Sequence, residues 1–85
     1  MEIKIINEDK NFIEIEIDNL TIAEILRVYL NKEGVDFAAW RQDHPTKKPI
    51  LRVEGQNPRK SIIKVIEKIQ KELENFLENY KKLKN

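Results

Sequence analysis

The chain has 85 residues, 16 basic and 15 acidic, for a formal charge of +1, so nothing in its overall balance attracts nucleic acid or an anionic membrane. It contains no cysteine and one histidine, His44, which excludes a thiol nucleophile, a zinc–thiolate centre and a multi-histidine metal site within one chain; no metal or cofactor is expected. A chain this short makes one domain and buries only about 60% of the surface its unfolded form exposes, here without a disulfide to help.

Residues 2–7, EIKIIN, alternate in polarity and run into the polar turn NEDKN. Residues 12–18, FIEIEID, alternate cleanly, with Ile13, Ile15 and Ile17 on one face and Glu14, Glu16 and Asp18 on the other. That pattern predicts a strand with one wet face, paired antiparallel with the first strand. The three acidic residues read as solvated, edge-protecting charge rather than a carboxylate site.

The period then changes from two to between three and four. Over residues 21–32, TIAEILRVYLNK, the residues Ile22, Ile25, Leu26, Tyr29 and Leu30 form an apolar stripe. Asn19 is the first choice of N-cap and Thr21 the second; Gly34 is the expected stop. Residues 35–42, VDFAAWRQ, predict a strand with Val35, Phe37 and Ala39 on one face and Ala38 and Trp40 on the other, a pattern compatible with cover on both sides. The stretch DHPTKKP is a loop, because Pro45 and Pro49 each lack a backbone donor. Residues 50–54, ILRVE, form a fourth strand.

Asn57 and Pro58 have the cap and first-turn positions of a final helix that nothing interrupts before about Leu83. Its apolar residues Ile62, Ile66, Ile69, Leu73, Phe76, Tyr80 and Leu83 follow steps of four and three in strict alternation, widened by Ile63 and Leu77. The order is β-β-α-β-β-α: an α+β domain with a four-stranded, mostly antiparallel sheet and both helices on one face. About 25 helical residues span about 37 Å, whereas a compact globule of this length is roughly 30 Å across. The seam therefore outruns the domain, which predicts a partner's helix against it and self-association when the chain is alone.

Chemistry has little to work with. His44 and Asp43, with Asp36 as a further carboxylate, invite an acid–base reading, but the sole serine, Ser61, stands at a helix start and no glycine-rich loop is present. The plainer reading is a turn histidine bonded to local backbone. Thr46, Lys47 and Lys48 with Arg41, Arg52, Arg59 and Lys60 suggest a small basic patch around the loop and the start of the last helix, without the interleaved aromatics of a nucleic-acid module. Trp40 and Tyr29 suit a core or an interface. With no apolar run of about 20 residues, a cytoplasmic protein with no membrane contact is expected.

Three stretches carry a resemblance. LTIAEILRVYL, residues 20–30, resembles the first-helix motif of the archaeal RNA polymerase subunit L family, with Thr21, Ile22, Ala23, Ile25, Leu26 and Arg27 matching; Leu20 replaces the motif's histidine and Glu24 its asparagine. VDFAAWRQDHP, residues 35–45, resembles the family's V-x-F-A-x-Y strand and following His-Pro, through Val35, Phe37, Ala38, Trp40, His44 and Pro45. NPRKSIIKVIEKIQKELENF resembles its final helix.

This family includes the eukaryotic eleventh subunit and is related to the N-terminal domain of the bacterial alpha subunit. The resemblance implies one alpha-like dimerisation domain over residues 1–85, without a catalytic site. It also implies a heterodimer with the larger alpha-like subunit known as D, a pair that seeds assembly of the other polymerase subunits. Partner contacts are then expected among Ile22, Leu26, Tyr29, Ile62, Ile66, Ile69, Leu73, Phe76 and Tyr80, shared with the chain's own core. The alternative is a stand-alone homodimeric binding module that uses the same helices on itself.

Overall fold

A computed structural model describes residues 2–84, with side chains to residue 83. The elements are β1 (Ile3–Glu8), β2 (Phe12–Ile17), α1 (Leu20–Glu33), β3 (Phe37–Arg41), β4 (Ile50–Glu54) and α2 (Pro58–Lys84). This is the expected α+β order, and all three strand pairs are antiparallel.

The spatial order of the strands is β1-β2-β4-β3. β4 thus returns past α1 to lie beside β2, and β2 is an interior strand. The expectation that Glu14, Glu16 and Asp18 protect an edge is overturned: the edges are β1 and β3. Local polarity alternation tells a half-buried strand from a buried one, but it does not say which strand is beside which.

Both helices begin and end where their side chains dictate. Asn19 is extended and its Oδ1 accepts from the Ile22 N–H at 3.1 Å, so the cap falls on Asn19 rather than Thr21. Gly34 closes α1 in the left-handed region at φ 93°, donating to the Asn31 carbonyl at 3.2 Å. Asn57 caps α2 through Oδ1, which accepts from the Lys60 N–H at 3.2 Å, and Pro58 is buried in the first turn.

The core lies between the inner sheet face and the helices. Ile13, Ile15, Ile17, Ala38, Leu51 and Val53 from the sheet meet Ala23, Leu26 and Leu30 of α1 and Ile62 and Val65 of α2. Val65 is fully buried, although a strict heptad omits it. A straight helix turns every 3.6 residues, and packing on a sheet buries a broader stripe than a coiled-coil seam does. Glu33 pairs with Lys64 at 2.6 Å, and the Tyr29 hydroxyl donates to Glu72 at 2.7 Å. The earlier residue of α1 thus meets the later residue of α2, so the helices run antiparallel.

Two further expectations fail at β3. Its Phe37–Ala39 face is open, with Phe37 exposed, because both helices pack on the Ala38–Trp40 side. Val35 does not share the Phe37 face; it precedes the strand, donates to the Leu30 carbonyl at 3.4 Å and packs against the core. The molecule measures 48 × 32 × 17 Å with a radius of gyration of 14.5 Å, against about 12 Å for a compact chain of this length. Leu30→Ala, at the centre of the core, should lower unfolding free energy by about 2–5 kcal/mol. Leu83→Ala should change it by no more than about 0.5 kcal/mol; urea unfolding of both variants checks the contrast.

Candidate functional site

The apolar stripe of α2 divides at Ile69. Ile62 and Val65 are buried, and Ile66 and Ile69 are half-buried against the core. From there on Leu73, Phe76, Leu77, Tyr80 and Leu83 all lie exposed, Phe76 at 64% and Leu83 at 86%. This exposure begins past Ile69, the last residue of α2 that packs against the core. The stripe itself continues, and its later side chains lie outside the core cluster.

On α1, the same direction is taken by Ile22 and Tyr29, both half-buried, with Leu20 and Ile25 exposed. The nine expected contact residues are thus of three kinds. Leu26 and Ile62 are in the chain's own core; Ile22, Tyr29, Ile66 and Ile69 are shared between core and surface; Leu73, Phe76 and Tyr80 face out. Ile25, Ile63 and Leu77, outside that set, are exposed as well, and their signal was their place beside the stripe. The Tyr29–Glu72 and Glu33–Lys64 bonds fix the line along which α2 projects. The Tyr29 hydroxyl is held above its ordinary pKa, first by donating to the Glu72 carboxylate and then by burial.

Glu24 ties α1 to β3. Its carboxylate accepts from the Trp40 indole N–H at 2.7 Å and from Arg27 Nε at 3.0 Å. An asparagine at this position has one acceptor oxygen, whereas the carboxylate accepts from both donors at once. The substitution in the first-helix motif is therefore matched by its neighbours, Trp40 and Arg27. These bonds, that of Arg27 first and that of Trp40 second, lower the Glu24 pKa to about 2.

The outer sheet face carries a charged network beside Phe12 and the exposed Phe37. Glu14 is 8% exposed, bonded to Arg41 at 2.9 Å, paired with Arg52 at 3.4 Å, and reached by the Asn7 amide at 3.4 Å. Arg41 lowers its pKa most, by hydrogen bonding. Arg52 also pairs with Glu54 at 2.7 Å and lies over the Phe12 ring, 4.1 Å from its centroid. The expected basic patch does not assemble. Arg41 and Arg52 are engaged on this face, Arg59 pairs with Glu8, and Lys47 and Lys48 lie at the opposite end of the sheet from Lys60.

His44 is an exposed turn residue. Its Nδ1 accepts from the Thr46 N–H at 3.3 Å, and its carbonyl accepts from Lys47 at 2.8 Å. Asp43 pairs with Arg41 at 3.2 Å, and Asp36 stands at the far end of β3, so the suggested His–Asp site is not formed. Pro45 is exposed in the same turn, and Thr21 is exposed in the first turn of α1. A cleft of about 410 Å³ between the end of α1 and the start of α2 is lined by Gly34, Asp36, Gly55, Asn57, Lys60 and Ser61 among others, and brings no nucleophile to a base. Among the described residues, no cluster of three or more His, Cys, Asp or Glu could hold a metal, and no helix is long and apolar enough to cross a membrane.

Because its folded pKa lies below its unfolded one, Glu24 contributes stability above the ordinary glutamate range, and that contribution is lost as pH falls from there towards about 2. In Glu24→Gln this part of the acid profile should flatten while the fold at neutral pH persists. Acid unfolding followed through the fluorescence of Trp40 measures it. An unchanged slope would mean that the Glu24 bonds do not stabilise the fold.

Known proteins are similar to this chain in sequence. The family model described as the RNA polymerase Rpb3/Rpb11 dimerisation domain matches residues 10–79. The chain is 36% identical over 90 residues to the DNA-directed RNA polymerase subunit Rpo11 of Sulfolobus acidocaldarius, covering 98% of this chain and 100% of that one. It is 32% identical over 90 residues to the Rpo11 subunit of Sulfurisphaera tokodaii, covering 98% and 97%. To that of Saccharolobus islandicus it is 31% identical over 90 residues, covering 98% of each.

Proposed function

The chain belongs to the RNA polymerase Rpb3/Rpb11 dimerisation-domain family, and from that premise we propose that it is a non-catalytic assembly subunit which pairs with the larger alpha-like subunit known as D. Residues 1–85 act as one alpha-like dimerisation domain, and the pair is the platform on which the other polymerase subunits assemble in the cytoplasm. The relatives named DNA-directed RNA polymerase subunit Rpo11 align over nearly their whole length, which supports a role in the same kind of enzyme.

The observation that carries the reading is the apolar stripe of α2 beyond Ile69. Five large apolar side chains stand exposed on one helix. At about 25 cal/mol per Å², burying a few hundred Å² of such surface contributes several kcal/mol, and an apolar patch of this kind marks an interface. Charged residues keep the remainder of the helix in water: Lys64, Glu67, Lys68, Lys71, Glu74 and Glu78 are all exposed. Ile22, Ile25 and Tyr29 of α1 extend the same face towards the core. No direct nucleic-acid contact is part of this role, because the arginines of the sheet are engaged with carboxylates.

Phe76 is the test of the interface. Phe76→Ala should cost about 2–4 kcal/mol in heterodimer formation if it is a central anchor, while folding of the isolated chain is nearly unchanged. Calorimetric titration against the larger alpha-like subunit measures the first and urea unfolding the second; equal binding by variant and wild type removes Phe76 from the interface. Sedimentation separates the rival homodimer reading. The isolated chain should run larger than a monomer at micromolar concentration and resolve into a discrete heterodimer when the alpha-like partner is added, whereas a two-fold homodimer indifferent to that partner would favour the stand-alone module.

His44 supplies the complementary test. His44→Gln should leave nucleotide addition by the assembled polymerase nearly intact, since the ring serves a turn. A loss of about a hundredfold or more at normal assembly, the scale of general acid–base catalysis, would overturn that role.

A further inference from the structure

The sheet has an apolar strip that its own helices do not cover. Directly opposed residues of an antiparallel pair share a face, and Ile3 stands opposite Ile17 and Ile5 opposite Ile15. Ile15 and Ile17 are buried beneath the helices, so Ile3 and Ile5 point to the same inner side. Yet they are 38% and 43% exposed, and every residue of β1 is exposed. One helix, about 10 Å wide, covers about two strands at a spacing of about 4.8 Å. Here α1 lies over β2, β4 and β3, and the main strand contact of α2 is with β2. β1 is tied to α2 at its end by the Arg59–Glu8 ion pair, at 2.9 Å from Nε to Oε2, and none of its residues is buried.

The chain thus has too little helix over β1 and too much helix beyond its core. The two quantities match. Past Ile69, α2 continues to Lys84, about 22 Å at 1.5 Å per residue. β1 has six residues, about 20 Å at 3.3 Å per residue. One dimerisation-domain description covers both Rpb3 and Rpb11, so a partner built from that domain would bring a final helix and a first strand of its own.

We propose that the inner face of β1, through Ile3 and Ile5, seats the projecting end of the final helix of the alpha-like dimerisation partner. The inference rests on the heterodimer reading above and extends it from the helices to the sheet. Ile5 and Ile3 continue the buried row of Ile15 and Ile17 outward, so a helix placed there lengthens the existing core and closes the inner side of the exposed edge strand. On the opposite face of β1, Lys4 stands opposite Glu16 and Asn7 opposite Glu14, while Ile6 falls at a shift of register between Ile5 and Asn7; Lys4 lies outside the contact.

Disulfide trapping in the purified heterodimer tests the placement, because the chain has no cysteine of its own. Ile5→Cys should cross-link to cysteines introduced singly along the last three turns of the partner's final helix, with a period of three to four, and Lys4→Cys should not. In titration, Ile3→Gln with Ile5→Gln should weaken the heterodimer at least tenfold, while Lys4→Gln leaves it within twofold; circular dichroism confirms that each variant is folded. A wild-type heterodimer that forms normally, gives no Ile5→Cys cross-link and tolerates the double substitution overturns the β1 seat and leaves the helical interface standing. Failure of the wild-type chain to bind the alpha-like partner overturns both. Cross-linking of Ile5→Cys to Leu77→Cys of a second copy, with the alpha-like partner present, assigns the seat to this chain itself and overturns the proposal.

Discussion

The final helix is longer than the sheet on which it packs, and the rest of the structure answers to that mismatch. Its first three turns are held firmly: Asn57 caps the start, Pro58 is buried, Ile62 and Val65 fill the core, and Arg59 and Lys64 pair with Glu8 and Glu33. Its later turns have the same apolar spacing and no sheet beneath them. A helix set at both its start and its middle projects as a rigid arm, and Tyr29 bonded to Glu72 fixes the arm's bearing. The chain belongs to a family described by dimerisation, and in the proposed heterodimer this end of the helix is part of the surface that a second chain completes.

The two faces of the sheet divide the labour. The inner face is apolar and joins the helices into one core. The outer face carries Glu14, shielded by Arg41, Arg52 and Asn7, with Arg52 stacked on Phe12. A shielded carboxylate costs desolvation energy unless its charge is matched, and here two guanidinium groups and an amide match it. That network links all four strands, through Asn7 of β1, Glu14 of β2, Arg52 of β4 and Arg41 of β3, by side chains as well as through the ladder. It also explains why the arginines form no basic surface: their charge is directed inward along the sheet.

The Glu24 departure from the first-helix motif is local and is met by its neighbours, whereas nothing in the structure explains Leu20. Glu24 accepts from Trp40 and Arg27 together, so the change on α1 and the indole on β3 make one contact. The loop that follows β3 is scaffold in the same sense. His44 folds its own turn through Thr46 and Lys47, while Asp43 is taken by Arg41.

By itself the sequence determined the elements and their caps, because those depend on side chains a few residues apart. The alternation of FIEIEI, the Asn19 cap, the Gly34 stop and the Asn57–Pro58 start are all local physics. The excess length of α2 was legible too, since rise per residue and chain length suffice to compare helix with globule. Tertiary structure alone decided what depends on which strand neighbours which. Glu14 belongs to an interior strand because β4 returns beside β2. Phe37 is open because both helices take the other side of β3. Val65 is core because a helix lying on a sheet buries a wider stripe than a heptad. Ile62 and Phe76 belong to one apolar stripe of α2, yet the first packs in the core and the second stands exposed. Ile3 and Ile5 carry the same alternation as Ile15 and Ile17; the helical layer stops before it reaches them, and no periodicity along the chain records where a layer stops.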